Sequence, residues 1–144
     1  MMVIRQLSVF LENKPGRLCA ATDTLAKEGI NISALTVADT AEFGVLRMIV
    51  DQPDLAKEVL FASGVVVRIS KVLAVAMDDA PGGAGGILHL LSDAGLNVEY
   101  MYACVGRLSG KALMVIRTDN LEKAAEVLHQ NGYGDMNPAE IYRL

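Results

Sequence analysis

LSVFLENKPGRL, at residues 7–18, returns as LAVAMDDAPGGA at residues 73–84, 66 positions later. In both copies apolar residues alternate up to a Pro-Gly turn, which indicates a strand followed by the start of a helix. Each helix pattern then stops at a Gly-x-Asn sequence. The matching positions are Leu7 and Leu73, Val9 and Val75, Pro15 and Pro81, Gly16 and Gly82, Leu25 and Leu91, Gly29 and Gly95, and Asn31 and Asn97. This order of matches predicts an internal duplication.

The second part of each copy also matches, now at an offset of 68 residues. The matching positions are Asp51 and Asp119, residues 58–60 and 126–128, and Gly64 and Gly132. The change of offset places two extra residues in the second copy, near residues 106–110. No Pro-, Gly- or Ser-rich linker separates the copies, so we expect two modules at residues 1–70 and 71–144.

Each copy reads as strand, helix, strand, strand, helix, strand, which is the order of the ferredoxin-like βαββαβ sandwich. We therefore predict an α+β protein of two such modules, with antiparallel sheets, helices on one face and the sheets of paired modules side by side. The last strand of the second copy is hard to place, because Gly132, Gly134 and Pro138 interrupt its pattern. Residues 141–144 fit either that strand or a short helix.

The small size of each module favours association. A module of about 70 residues buries little apolar surface on its own. The most apolar predicted strand carries apolar residues on both faces, at Val45, Leu46, Met48, Ile49 and Val50. We therefore expect the sheets to pair between the two copies and between the two chains of a homodimer.

Composition and charge narrow the classes of partner. The chain has 13 basic and 17 acidic residues and a formal charge of -4, which argues against nucleic acid and membrane as partners. No apolar stretch approaches the ~20 residues that cross a bilayer, and the N-terminal residues do not resemble a secretory signal. Cys19 and Cys104, with only two histidines, lack the spacing of a zinc site. We expect no metal, no cofactor and a cytoplasmic protein with core or half-buried thiols.

The Pro-Gly turn is the first candidate for a functional role. Residues 13–18 join a strand to a helix start, where unpaired backbone N–H groups and a partial positive charge favour an anion. The carboxylate of a free amino acid fits this position, and the side-chain oxygen of Asn13 is placed to accept from its ammonium group. The alternative is purely structural: Pro15 and Gly16 start a helix and bind nothing.

The combined pattern resembles the ACT domain family of amino-acid-sensing regulatory modules. The resemblance rests on Leu7-x-Val9-x-Leu11-x-Asn13-x-Pro15-Gly16-x-Leu18 followed by Gly29-Ile30-Asn31-Ile32, and on Leu73-x-Val75, Asp79-x-Pro81-Gly82 and Gly95-Leu96-Asn97-Val98. Together the two matches cover essentially the whole chain, which is similar to stand-alone tandem ACT proteins without an attached enzyme. The resemblance implies a non-catalytic regulatory protein that binds a free amino acid.

Effectors of similar ACT domains bind where two modules pair, between the strand-to-helix turn of one module and the Gly-x-Asn helix end of its neighbour. The resemblance therefore implies a first site made of Leu11, Asn13, Pro15, Gly16, Arg17 and Leu18 opposite Asn97 and Val98. It implies a mirror site made of Met77, Asp79, Pro81, Gly82, Gly83 and Ala84 opposite Asn31 and Ile32. Asp79 replaces Asn13, and the glycines at 83, 85 and 86 are expected to widen the second pocket. We therefore expect unequal affinities.

Other functions fit the sequence less well. The glycine-rich run at residues 81–86 lacks the Lys-Ser/Thr pair of a phosphate-binding loop, since Ile87 and Leu88 follow it. His89 has no cysteine, serine or carboxylate partner at a recognisable spacing, and His129 is expected to be exposed near the end of a helix. An acylphosphatase-like enzyme would need Arg17 within a longer glycine-rich loop. A subunit that docks on a metabolic enzyme without an effector of its own is the main alternative.

Overall fold

The computed structural model describes residues 2–39, 43–134 and 136–142. Their elements are β1 (Val3–Glu12), α1 (Arg17–Lys27), β2 (Ile32–Asp39), β3 (Phe43–Val50), α2 (Pro53–Ala62), β4 (Val66–Met77), α3 (Gly83–Asp93), β5 (Val98–Leu108), β6 (Lys111–Thr118), α4 (Leu121–Gln130) and α5 (Pro138–Tyr142). These residues divide into two compact units, here called the first module (residues 5–70) and the second module (residues 2–4 and 71–142). The predicted α+β class, with antiparallel strands, is confirmed.

The first module is a ferredoxin-like sandwich with both helices on one face of the sheet. β3 pairs antiparallel with β1 on one side and with β2 on the other, and Met48 lies opposite both Leu7 and Leu35. Alternate residues of β1 point to the same face, where they meet the apolar sides of α1 and α2. The resulting core contains Leu7, Val9, Leu11, Ala21, Leu25, Ile30, Leu46, Met48, Val50, Ala56, Leu60 and Val67.

The second module repeats this arrangement. β6 pairs antiparallel with β4 and with β5, and Ile116 lies opposite both Leu73 and Met101. The helices α3 and α4 cover one face of this sheet, as the helical spacing of their apolar residues predicted. The buried core contains Met2, Leu73, Val75, Ile87, Leu91, Leu96, Met114, Ile116, Ala124 and Leu128.

The start of the chain groups with the second module. The Ala74 N–H donates to the Met2 carbonyl oxygen at 2.7 Å. The side chain of Met2 is only 2% exposed and lies in the second core, and Val3 packs against that core. Residues 2–4, which the sequence placed with the first copy, therefore occupy the position beside β4 where a fourth strand of the second copy was expected.

The C-terminal segment contains a short helix. Residues Pro138–Tyr142 form α5, and Ile141 is buried. Residues 143 and 144 lie outside the described residues. The sequence left strand and helix open for this segment, and the structure shows a helix as far as Tyr142. A strand is not needed here, because the start of β1 already occupies the strand position.

The length of the helices bears on membrane insertion. None of the helices among the described residues is long and apolar enough to span a bilayer. The longest of them, α1 and α3, have 11 residues each, whereas a spanning helix needs about 20.

Candidate functional site

The strand-to-helix turn of the first module is held by a left-handed glycine. Gly16 has a φ of 86° and caps the N-terminus of α1, a conformation that glycine adopts without steric penalty. The Arg17 N–H donates to the Lys14 carbonyl oxygen at 3.3 Å, and the Lys14 N–H donates to the Glu12 carbonyl oxygen at 2.8 Å. The Pro-Gly turn therefore starts a helix, as both interpretations of the sequence require.

The exposed side of this turn carries two cations and one carboxylate. Lys14 Nζ lies 3.0 Å from Glu12 Oε2, and Arg17 Nη2 lies 3.8 Å from Glu12 Oε1. The hydrogen bond from Lys14, reinforced by the charges of Lys14 and Arg17, lowers the pKa of the Glu12 carboxyl. Glu12 is therefore ionised at neutral pH, and these three side chains keep one net positive charge. The sequence did not single out Glu12 or Lys14, although both adjoin Asn13.

Each module holds its predicted site residues at the two ends of one helix. In the first module, Leu11 is buried, the exposed residues at the start of α1 are Asn13, Pro15, Gly16, Arg17 and Leu18, and Asn31 and Ile32 follow its other end. In the second module, the start of α3 has Met77, Asp79, Pro81, Gly82, Gly83 and Ala84, and the far end has Asn97 and Val98. A helix of 11 residues is about 16 Å long. The two groups therefore do not meet within one module.

The corresponding turn of the second module leaves little space beside two of its glycines. Gly82 has a φ of 85° and caps α3. A Cβ on Gly83 would overlap the Asp78 carbonyl oxygen, and a Cβ on Gly86 would lie 3.3 Å from the Tyr133 hydroxyl. Backbone and a tyrosine therefore fill the space beside these two glycines, and a wider pocket between paired modules stays a prediction. Of the three glycines, Gly85 alone faces open space.

Asp79 has a charged partner of its own. Arg107 Nη2 lies 2.5 Å from Asp79 Oδ2, and both side chains are about half exposed or more. Arg107 belongs to β5, within the segment where the second copy has its two extra residues. A ligand ammonium would compete with this guanidinium for the carboxylate. The sequence did not predict this role of Arg107. The two extra residues near residues 106–110 were the one sequence feature that pointed to this segment.

The Gly-x-Asn sequence at the end of α1 and α3 is held by a repeated aspartate. Asp51 Oδ1 accepts from the Asn31 N–H at 3.0 Å, and Asp119 Oδ1 accepts from the Asn97 N–H at 3.1 Å. In return, the N–H groups of the two aspartates donate to the carbonyl oxygens of the two asparagines at 3.2 and 3.4 Å. Both asparagines are exposed. These bonds give a structural reason for the match between Asp51 and Asp119.

We expect Asp51→Ala to lower the free energy of unfolding by about 1–2 kcal/mol, because the change removes the carboxylate that accepts from the Asn31 N–H. Urea denaturation measures the effect. Asp93→Ala removes an exposed carboxylate from the end of α3 and should change stability by less than about 0.5 kcal/mol. Equal and small effects of the two substitutions would contradict a structural role for Asp51.

The cysteines lie apart from any cluster of metal-binding side chains among the described residues. Within residues 2–39, 43–134 and 136–142, no three His, Cys, Asp or Glu side chains lie together as a metal site requires. Cys104 is half-buried, and burial raises the pKa of its thiol to about 11. That thiol is therefore protonated at neutral pH. Cys19, which was expected to be at least half-buried, is exposed on α1.

The two turns lie within a region that matches a known protein family. A family model described as an ACT domain pair matches residues 2–141, which include both turns and both Gly-x-Asn ends. The chain belongs to the ACT domain pair family. ACT domains are regulatory rather than catalytic modules. The resemblance inferred from the duplicated motif is thereby confirmed for the family and for the fold.

Solved structures share the ACT fold of this chain. A protein from Bacteroides thetaiotaomicron is 41% identical, with a TM-score of 0.91, over 99% of this chain and 98% of its own. The regulatory subunit of aspartate kinase from Thermus thermophilus, in a ligand-free form, is 16% identical with a TM-score of 0.63, over 92% of this chain and 98% of its own. Aspartate kinase from Synechocystis is 18% identical with a TM-score of 0.59, over 94% of this chain and 28% of its own. No curated protein matches the chain significantly.

Proposed function

We propose that this ACT domain pair is a non-catalytic, cytoplasmic regulatory protein that binds a free amino acid between paired modules of a homodimer. The observation that carries the proposal is the duplicated turn, in which Gly16 and Gly82 each open a helix in the left-handed conformation. The first N–H groups of such a helix have no acceptor within it and favour a carboxylate. The free thiols of Cys19 and Cys104 support a reducing compartment.

The first turn offers groups for both ends of an amino acid. The ligand carboxylate would lie at the start of α1, where Lys14 and Arg17 add positive charge. The ligand ammonium would donate to the side-chain oxygen of Asn13. Its remaining contacts would come from Asn97 and Val98 of a neighbouring module. One module cannot supply both halves of the site, because the length of α1 separates them by about 16 Å.

Exposed apolar side chains support the pairing of modules. β2 leaves Leu35 and Val37 exposed by 44% and 45%, and alternate residues of a strand share one face. Covering such an apolar stripe with a second module removes it from water. The proposed target of regulation is a metabolic enzyme, as aspartate kinase is for the Thermus thermophilus regulatory subunit of similar fold.

We expect the mirror site to bind the same ligand more weakly. Its carboxylate, Asp79, is already in an ion pair with Arg107, so a ligand ammonium must displace a guanidinium before it binds. In the first turn, the neutral amide of Asn13 stands in place of that carboxylate. The two sites would therefore fill at different ligand concentrations.

The ligand would regulate by linkage between binding and assembly. An amino acid that bridges two modules shifts the equilibrium only through its different affinity for the paired and unpaired states. At 100 times its dissociation constant it stabilises the paired state by about 2.7 kcal/mol. That is enough to change the population of a dimer or of a complex with an enzyme by about a hundredfold.

A thermal-shift screen with the twenty amino acids should show stabilisation by a narrow subset. Asn13→Ala should weaken binding of the best ligand by about tenfold, because its amide oxygen no longer accepts from the ammonium. Isothermal titration calorimetry measures the affinity. Gln130→Ala, which removes an exposed amide from α4, should leave it unchanged.

The alternatives predict different results in the same assays. A lack of response to every amino acid at millimolar concentration would favour a docking subunit that has no effector. An affinity unchanged by Asn13→Ala would remove Asn13 from the site. Hydrolysis of an acyl phosphate that is lost in Arg17→Ala would overturn the non-catalytic assignment.

A further inference from the structure

The second module contains a polar cavity that the ACT motif does not include. It has a volume of about 250 Å³ and lies where the end of β4, the start of β6 and the turn after α4 come together. Its lining residues are Ala76, Asp78, Lys111, Asn131, Gly132, Tyr133 and Gly134. The Gly-x-Asn end of α3 is not among the lining residues. All of the lining residues belong to the second module, so the cavity is formed within one module.

The first module has a cavity at the equivalent place, which serves as an internal comparison. Its volume is about 230 Å³, and its lining residues are Phe10, Leu11, Glu12, Arg17, Phe43, Ser63, Gly64, Val65 and Val66. Under the duplication, Ala76 stands where Phe10 does, Lys111 where Phe43 does, and Tyr133 where Val65 does. The fold therefore creates the space in both modules, and the polar lining of the second cavity is a property of its own side chains.

The two opposite charges in the second cavity are close but only loosely paired. Lys111 Nζ lies 3.4 Å from Asp78 Oδ1, with 54% and 77% of the side chains exposed. An exposed ion pair of this kind contributes little to stability, so separating its members costs little. In the first module the equivalent positions are Phe43 and Glu12, and the carboxylate there pairs with Lys14 instead.

We propose that this cavity of the second module is a separate binding site for a small zwitterion. The ligand carboxylate pairs with the Lys111 ammonium, and the ligand ammonium pairs with the Asp78 carboxylate, so that one ion pair is replaced by two. Tyr133 contributes to the wall of the cavity, which places an aromatic side chain beside the two charges. The volume suits a molecule of few heavy atoms. All of its residues belong to one module, so the site requires no second module.

Binding of glycine, acetate and methylammonium chloride distinguishes a site for a zwitterion from a site for a single charge. Glycine carries both charged groups, acetate only the carboxylate and methylammonium only the ammonium. We expect glycine, titrated into the full chain, to shift the backbone amide resonances of Lys111 and residues 132–134 in a saturable way. Acetate and methylammonium at equal concentration should each bind at least about tenfold more weakly, since each lacks one of the two ion pairs. Lys111→Met and Asp78→Asn should each weaken glycine binding by at least about tenfold for the same reason.

Two controls keep the result tied to this cavity. Lys57→Met removes an exposed lysine from α2 of the first module and should leave the glycine shifts unchanged. Asn13→Ala, which tests the paired-module site, should also leave them unchanged, so failure of one site does not imply failure of the other. The proposal is overturned if glycine causes no shifts at these residues, if acetate alone binds as well as glycine, or if Lys111→Met binds glycine normally while keeping its folded spectrum.

Discussion

Replacing Met2 by alanine should lower the free energy of unfolding of the second module by about 2–5 kcal/mol, the usual cost of truncating a fully buried methionine. The side chain of Met2 is 2% exposed and packs in the core of the second module with Leu73 and Leu91. Its carbonyl oxygen also accepts from the Ala74 N–H. The loss of stability should therefore appear in the second module, although Met2 is the first residue that the structure describes.

Native-state hydrogen exchange locates the effect of Met2→Ala. Amides of β6 should lose more protection than amides of β3, because β6 lies in the module whose core contains Met2. Phe61→Ala removes a large apolar side chain that is 72% exposed on α2, and it should change stability by less than about 0.5 kcal/mol. Greater loss of protection in β3 than in β6 would show that residues 2–4 belong to the first module.

Gly83→Ala should destabilise the second module by about 3 kcal/mol, because the new Cβ would overlap the Asp78 carbonyl oxygen. The obstacle is backbone, which moves less readily than the end of a side chain. The turn between β4 and α3 would have to open to accept the methyl group. The same opening would displace Asp78 and Asp79, which flank the turn.

Gly85→Ala is the matched control for Gly83→Ala. Gly85 lies two residues further along α3, and a Cβ there would meet no atom within 4 Å. Alanine at that position should stabilise the helix by about 0.5–1 kcal/mol, because glycine has the greater conformational entropy in the unfolded chain. Thermal and urea unfolding measure both variants. Gly83→Ala with the stability of Gly85→Ala would contradict the close approach of Asp78.

The sequence predicted the two turns correctly because the Pro-Gly pair and the alternation of apolar residues act locally. Pro15, Gly16 and the alternating residues before them act through backbone dihedrals and periodicity within a dozen residues. Gly82 repeats the left-handed conformation of Gly16, as the duplicated motif predicts. The helix ends at Gly29 and Gly95 have positive φ for the same reason.

The candidate site was only partly accessible to the same kind of reasoning. Its turn residues could be placed by motif, but their ion-pair partners could not. Arg107 is 28 positions away from Asp79 along the chain, and the two are joined only because β5 returns to the turn. The close contact of Gly83 with Asp78 depends on the path of the backbone between them.

By itself, the sequence determined the duplication, the order of strands and helices as far as the second helix of each copy, and the faces that become apolar. These properties depend on residues near one another in the chain, so periodicity and turn chemistry suffice to predict them. Only the tertiary structure decided that Met2 joins the second core and that Asp78 and Lys111 share a polar cavity. Such contacts join distant parts of the chain, and their partners are chosen by packing and strand register, which local sequence does not encode.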